Sequence, residues 1–142
     1  MTTGGWRERF LSDDGVVLQA PAAAVDLAAA ETALDATLPE ALRELYLVTD
    51  GVFDGPGQWF VVWPLSDVVE RNRADWSSSV QGTARVDLVG FGDDGAGAPF
   101  CVPRAGGSGV FVWSAIDAAA TRLADTVEEF YARWQASSLP PY

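Results

Sequence analysis

The first half of this chain places its hydrophobic residues mainly at helical spacing. Residues 6–11 predict a short helix behind a frayed N-terminal tail, residues 1–5, and residues 16–18 predict a brief strand. An alanine-rich helix is predicted next, from residue 21 to about residue 36. Its inward face is formed by Leu27, Ala30 and Leu34.

A second long helix is predicted directly after the alanine-rich one. Thr37 and Glu40 have the spacing of a capping box, and Pro39 would lie in the first turn, where its missing N–H costs nothing. The pair Asp50-Gly51 is a typical helix stop. The helix between these signals would turn one side inward, formed by Leu38, Leu42, Leu45, Tyr46 and Thr49.

From residue 59 onward the pattern changes to that of strands. Residues 59–63 are apolar on both faces and predict a central strand. Further strands are predicted at residues 86–89, 98–102 and 109–113, and because short glycine-rich turns join them, they should be antiparallel.

Two more helices complete the prediction. Ser66 is expected to cap a third long helix with Leu65, Val69 and Trp76 on its inward side, followed by a polar loop over residues 77–82. The chain should end in a helix with Asp125 and Glu128 at its start. The core face of this last helix would be formed by Val127, Phe130, Tyr131 and Trp134.

These elements predict one α+β domain spanning residues 1–142, with its core at about residues 22–134. Its mostly antiparallel sheet should contain about four to six strands flanked by helices. A chain of 142 residues that is 49% hydrophobic can bury one core of ordinary size. It carries no apolar run long enough for a membrane span and no secretory signal segment, so we expect a cytoplasmic protein.

The amino-acid composition removes several classes of chemistry. Histidine and lysine are both absent, which excludes histidine-based triads, histidine metal ligands and Schiff-base lysines. The single cysteine, Cys101, can form neither an intrachain disulfide nor a thiolate cluster, and its strand-like surroundings predict a small buried side chain. We therefore expect no enzymatic activity, no metal and no cofactor.

The charge balance points to a protein partner. The net charge is −11, and the nine arginines are spread out, so a nucleic-acid-binding surface is not expected. An acidic protein associates faster with a basic one through electrostatic steering. Excess acid is also a general route to solubility, and the composition alone does not distinguish the two interpretations.

Several short pieces of the chain occur in an order that is typical of one family. They are Glu31 and Leu34, Leu38-Pro39, Leu45-Tyr46, Asp50-Gly51, Trp63 to Val68, Val89 to Asp93, and Leu123 to Phe130. In this order they resemble the SUKH superfamily, which includes fungal cell-wall-assembly regulators of the Knr/Smi type and bacterial immunity proteins against polymorphic toxins.

The resemblance implies both a fold and a role. Members of the superfamily have a sheet flanked by helices, use no cofactor and recognise other proteins. A bacterial member would neutralise a cognate toxin, and the arginine-only, alanine-rich composition suggests a high-GC bacterium. A general regulatory or scaffold interaction domain is the alternative within this class.

Two acidic, glycine-rich loops are the candidate partner-binding sites. We predict that Asp54, Asp93 and Asp94 present charge to a protein partner such as a basic toxin domain, while Trp59 serves as a partly exposed anchor. Residues 93–97 could alternatively hold a divalent cation, but they lack the ligand spacing of a calcium loop, and a hairpin turn is favoured. A small carboxylate-based hydrolase or ligand-binding domain remains the other alternative.

Overall fold

A computed structural model describes residues 3–78 and 85–142 of the chain. Most of the polar loop predicted for residues 77–82 therefore lies outside the described residues. The described part contains five helices, which are α1 (Thr3–Leu11), α2 (Ala24–Leu34), α3 (Glu40–Val48), α4 (Leu65–Trp76) and α5 (Val127–Gln135).

The strands form two antiparallel sheets, of three and four strands, which confirms the predicted α+β class. The order is β1-β2-β3 in one sheet and β4-β5-β6-β7 in the other. The bounds are β1 (Val16–Leu18), β2 (Val52–Asp54), β3 (Trp59–Val62), β4 (Leu88–Asp93), β5 (Pro99–Pro103), β6 (Val110–Ser114) and β7 (Ala119–Ala124).

The two sheets meet along β3 and β4. Trp63, which directly follows β3, donates its backbone N–H to the Phe91 carbonyl oxygen at 2.8 Å. The close approach of β3 to β4 requires a glycine at this position, because a β-carbon at Gly92 would lie 1.8 Å from the Val61 carbonyl oxygen. This contact places the β2–β3 turn next to the β4–β5 turn.

One hydrophobic core extends from α1 to α5. In α5, the Phe130 ring packs edge-on against Phe91 and Phe100, with centroid distances of 5.6 and 4.7 Å. Trp6 and Tyr131 are likewise buried and lie 5.6 Å apart. Trp134 is only half-buried, so the predicted core face of α5 stops at Tyr131.

Three predicted helix starts are wrong. Helix α3 has Pro39 at its N-cap without a side-chain cap. Ser66 lies inside α4, and the N–H of Leu65 instead donates to the Asp50 carboxylate at 2.8 Å. At α5 the cap is Thr126, which accepts from the N–H of Glu129, one residue beyond the predicted pair.

Other boundaries also differ from the prediction. Helix α1 begins at Thr3, so residues 3–5 belong to a helix and not to a tail. Strand β4 begins at Leu88, two residues later than predicted, and neither β2 nor β7 was predicted. On α4 the buried side is formed by Leu65, Val68 and Asn72, whereas Val69 and Trp76 are half-buried.

No helix in residues 3–78 and 85–142 combines the length and the apolar composition needed to cross a membrane.

Candidate functional site

The loops that carry the predicted site residues lie side by side. Asp54 and Trp59 flank the β2–β3 turn, and Asp93 ends β4 before the next hairpin turn. The Trp59 indole N–H donates to the backbone carbonyl oxygen of Asp93 at 3.0 Å. The structure thus joins the two predicted loops into one surface.

Trp59 is held between the glycines of both turns. A β-carbon at Gly57 would lie 1.7 Å from the indole, and one at Gly95 would lie 3.0 Å from it. Trp59 is half-buried. The glycines therefore fix the indole and leave it accessible.

Asp93 is occupied within its own chain. Its carboxylate accepts the backbone N–H of Gly95 at 2.7 Å and the indole N–H of Trp63 at 2.9 Å. Arg71 lies 4.0 Å from the same carboxylate and covers the Trp63 ring at 4.7 Å. With its side chain only 17% exposed, Asp93 holds the turn together.

Asp94 also stabilises the hairpin turn. One carboxylate oxygen accepts the backbone N–H groups of Ala96 and Ala98, at 2.8 and 3.1 Å. The other accepts the Tyr142 hydroxyl at 3.0 Å, and burial together with this bond raises the pKa of Tyr142 to about 12. Residues 93–97 form the hairpin turn that was favoured over a cation site.

Asp54 belongs to a different setting, an open groove of about 320 Å³ beside the β2–β3 turn. Asp13 and Asp54 contribute carboxylates to this groove, and Trp59 and Trp134 contribute two half-buried indoles. We call it the acidic groove. It is completed by Gly15, Pro56, Gln135 and Ser137.

The turn before β1 and the last helix shape the acidic groove. Asp13 accepts the backbone N–H of Gly15 at 3.0 Å, which fixes its carboxylate at the start of β1. The Tyr131 hydroxyl donates to the other Asp13 oxygen at 3.4 Å. Burial raises the pKa of Tyr131 well above its ordinary value, and the negative charges of Asp13 and Asp54 add to this effect.

The groove has the chemistry of a site for a positively charged side chain. Within the described residues, no arginine forms an ion pair with Asp13 or Asp54. Carboxylates bind guanidinium and ammonium groups through charge-assisted hydrogen bonds, and indole faces attract the same cations. An arginine or lysine from outside the chain would therefore find both kinds of contact here.

Sequence reasoning missed two of these residues. Asp13 is not among the predicted site residues, and Trp134 was predicted to lie in the core. The half-buried position of Trp134 follows from its place in the last turn of α5, beyond the buried Tyr131. No local signal links Asp13 with Asp54 and Trp134, because they are brought together only by tertiary packing.

The remaining reactive side chains are buried in structural roles. Cys101 is fully buried, as predicted, and burial raises the pKa of its thiol to about 12. The Tyr46 hydroxyl is buried and donates to the Trp63 carbonyl oxygen at 2.7 Å. In the part of the chain that the structure describes, no group of three or more acidic, histidine or cysteine side chains could hold a metal ion.

Comparison with known proteins identifies the family. The sequence profile of the SMI1/KNR4 family (SUKH-1) matches residues 21–133 of the chain. No curated protein matches the chain at a significant level. The profile covers most of the 142 residues, and the order of helices and antiparallel strands agrees with the resemblance to SUKH proteins. The chain therefore belongs to the SMI1/KNR4 (SUKH-1) family.

Proposed function

We propose that this chain is a non-enzymatic protein-binding module of the bacterial cytoplasm, and that it acts as an immunity protein that neutralises a cognate toxin. The observation that carries the proposal is the acidic groove, which combines two carboxylates with two half-buried indoles. Family membership supports a protein-interaction role but names no partner.

Charge supports a basic partner. The chain has a net charge of −11, so its field attracts a basic domain before contact is made. Asp13 and Asp54 then offer carboxylates that no described arginine occupies. A toxin that acts on nucleic acid must carry basic residues in its own active site, and those residues could bind here.

The aromatic side chains supply the second part of the interface. Tryptophan is enriched among the residues that contribute most to protein binding, because it buries a large area at a small entropic cost. Trp59 is held rigidly between Gly57 and Gly95, so it would lose little freedom on binding. Trp134 lies across the same groove.

Neither the thiol nor the loop carboxylates favour catalysis. Cys101 is buried, and the raised pKa of its thiol keeps it protonated at neutral pH. Asp93 and Asp94 accept hydrogen bonds from their own turn, which leaves them fewer free lone pairs for acid–base work. The acidic groove is open to solvent, so its shape fits the docking of a macromolecule better than the enclosure of a small substrate.

A toxin-neutralisation assay tests the proposed function. Immunity genes sit beside large toxin genes, so the C-terminal domain encoded by the adjacent large gene is expressed in a test host with and without this chain. We expect growth to be restored by the chain and the two purified proteins to form a stable complex without turnover. Unchanged killing together with the absence of a complex would refute the proposal.

Matched variants test whether the acidic groove is the binding surface. Asp13→Asn with Asp54→Asn removes two charges from the groove, whereas Asp26→Asn with Glu70→Gln removes two from exposed helix positions elsewhere. We expect the groove variant to associate more slowly and with a weaker salt dependence than the control variant. Equal rates for the two variants would place the interface elsewhere.

A further inference from the structure

Strand β7 is the long free edge of this fold. The inner edges of the two sheets meet at β3 and β4, where Trp63 bonds to Phe91. Of the two outer edges, β1 has three residues and β7 has six. Because an unpaired strand edge presents a row of N–H and C=O groups, a long free edge is a template for another strand.

The outer edge of β7 carries only one of the usual protective features, the charged side chain of Arg122. Ala119, Ala120, Thr121 and Arg122 are all exposed, and proline and lysine are absent from this stretch. Within the described residues, the backbone of these four residues pairs with β6 alone, and no hydrogen bond from any other element reaches it. The free segment ends at Leu123, whose carbonyl oxygen accepts from Arg133 at 2.6 Å.

We propose that β7 pairs antiparallel with β7 of a second copy of this chain, which forms a two-fold dimer through a continuous eight-stranded sheet. This inference is independent of the proposed function. A two-fold interface uses the same patch on both copies, so features at one end of the patch must complement features at the other end. The β7 edge has this property.

Charges at the two ends of the edge are complementary. Asp117 precedes β7 in the β6–β7 turn, and Arg122 lies toward the other end of the strand. If the two-fold axis passes near Ala120, antiparallel pairing places Arg122 of each copy close to Asp117 of the other copy. Arg122 is half-exposed and contacts only the exposed Asp125 as an ion-pair partner within the described residues.

Apolar surface is complementary in the same way. Ile116, at the tip of the β6–β7 hairpin, is 97% exposed. A shallow groove of about 200 Å³ adjoins the opposite end of β7 and is bordered by Pro39, Ala41 and Val127. In an antiparallel dimer, the hairpin tip of one copy extends toward this end of the other, where both Ile116 side chains can leave the water.

The affinity should be modest. Pairing of short strands buries less than the roughly 1,200–2,000 Å² of a stable interface. Two chains of net charge −11 also repel each other, although salt screens this repulsion beyond about 8 Å at physiological ionic strength. We therefore expect a reversible dimer whose population rises with protein concentration and with moderate salt.

Sedimentation equilibrium of the purified chain tests the proposal. The mass should rise with concentration from 15.1 kDa toward twice that value. A mass that stays at the monomer value up to the solubility limit would overturn the proposal.

Two neighbouring proline variants test whether the contact is made by the β7 backbone. Successive N–H groups of an edge strand alternate between the neighbouring strand and the free edge. Ala120→Pro and Thr121→Pro should therefore have different effects. One of them removes an N–H that bonds to β6 and lowers the melting temperature, and the other removes only an N–H that points to the free edge. The thermally stable variant should be monomeric, and a dimer that survives in it overturns the proposal.

Charge reversal gives a readout that does not depend on proline. Arg122→Asp alone and Asp117→Arg alone should each raise the dimer dissociation constant at least about tenfold, because like charges then face each other. The double variant restores opposite charges and should recover the dimer. Single variants with the wild-type dissociation constant would rule out this pairing.

Discussion

Asn72 connects helix α4 to strand β4 through a buried hydrogen-bond network. Its side chain is fully buried, and its amide NH₂ donates to the carbonyl oxygens of Val68 and Gly90 at 2.6 and 2.7 Å. Its amide oxygen accepts the Gly90 N–H at 2.7 Å and a guanidinium N–H of Arg85, which is itself buried. We predict that Asn72→Leu is strongly destabilising, although leucine has a similar volume.

The expected magnitude follows from the groups left without partners. The N–H and the C=O of Gly90 would both lose a buried hydrogen-bond partner, at about 1–3 kcal/mol each. Arg85 would lose an acceptor for a buried charge, which adds to the cost. We expect a loss of about 3–6 kcal/mol, a large part of the roughly 5–15 kcal/mol that stabilises a typical domain.

Urea denaturation followed by tryptophan fluorescence measures this loss. Asn72→Asp serves as an intermediate case, since it keeps the acceptor for Gly90 and Arg85 but loses the donor to the Gly90 carbonyl oxygen. Glu70→Leu, at an exposed position of the same helix, should change the free energy of unfolding by about 0.5 kcal/mol or less. If Asn72→Leu unfolds at the same midpoint as Glu70→Leu, the network contributes no net stability and the reasoning fails.

Three further predictions concern the core, alkaline pH and metals. Phe130→Ala should cost about 3–5 kcal/mol, whereas Trp134→Ala should cost clearly less because its ring is half-buried; equal losses in urea denaturation would contradict this difference. Burial raises the pKa of the Cys101 thiol from 9.0 to about 12 and raises those of Tyr46 and Tyr131 as well, so the unfolded chain releases these protons first. The resulting stability is fully present below about pH 9 and is lost as the pH rises toward 12, and Cys101→Ala should flatten this decline in a series of urea titrations. Addition of EDTA should leave the melting temperature unchanged, since the described residues contain no cluster of metal ligands; a drop would revive a cation site.

Strongly periodic helices could be predicted from the sequence because their own residues determine the pattern. Helices α3 and α5 bury the apolar faces that their spacing predicts, apart from Trp134 at the end of α5. Helix starts were predicted less well. At α4 the reason is tertiary, because the N–H of Leu65 is capped by Asp50 from an earlier loop, and at α5 the local cap is Thr126, one residue beyond the predicted one.

Two strands escaped prediction for different physical reasons. Strand β2 has three residues and follows the helix stop so closely that no periodicity can develop. The first four residues of β7 are alanine, threonine and arginine, and they show no apolar alternation because all four face solvent. Its pairing with β6, and not its own composition, makes it a strand.

The candidate site shows why turn chemistry predicts loops better than it predicts binding surfaces. Acidic residues occur beside glycines either because they stabilise a turn or because they present charge to a partner, and sequence alone does not distinguish these two roles. In this chain the contacts separate them, since Asp93 and Asp94 bond to their own hairpin, whereas Asp54 lines the acidic groove and its carboxylate accepts no hydrogen bond from the described residues. Asp13 lines the same groove but accepts hydrogen bonds from Gly15 and Tyr131. The carboxylate most available to a basic partner is therefore that of Asp54, and a test of partner binding should begin with this residue.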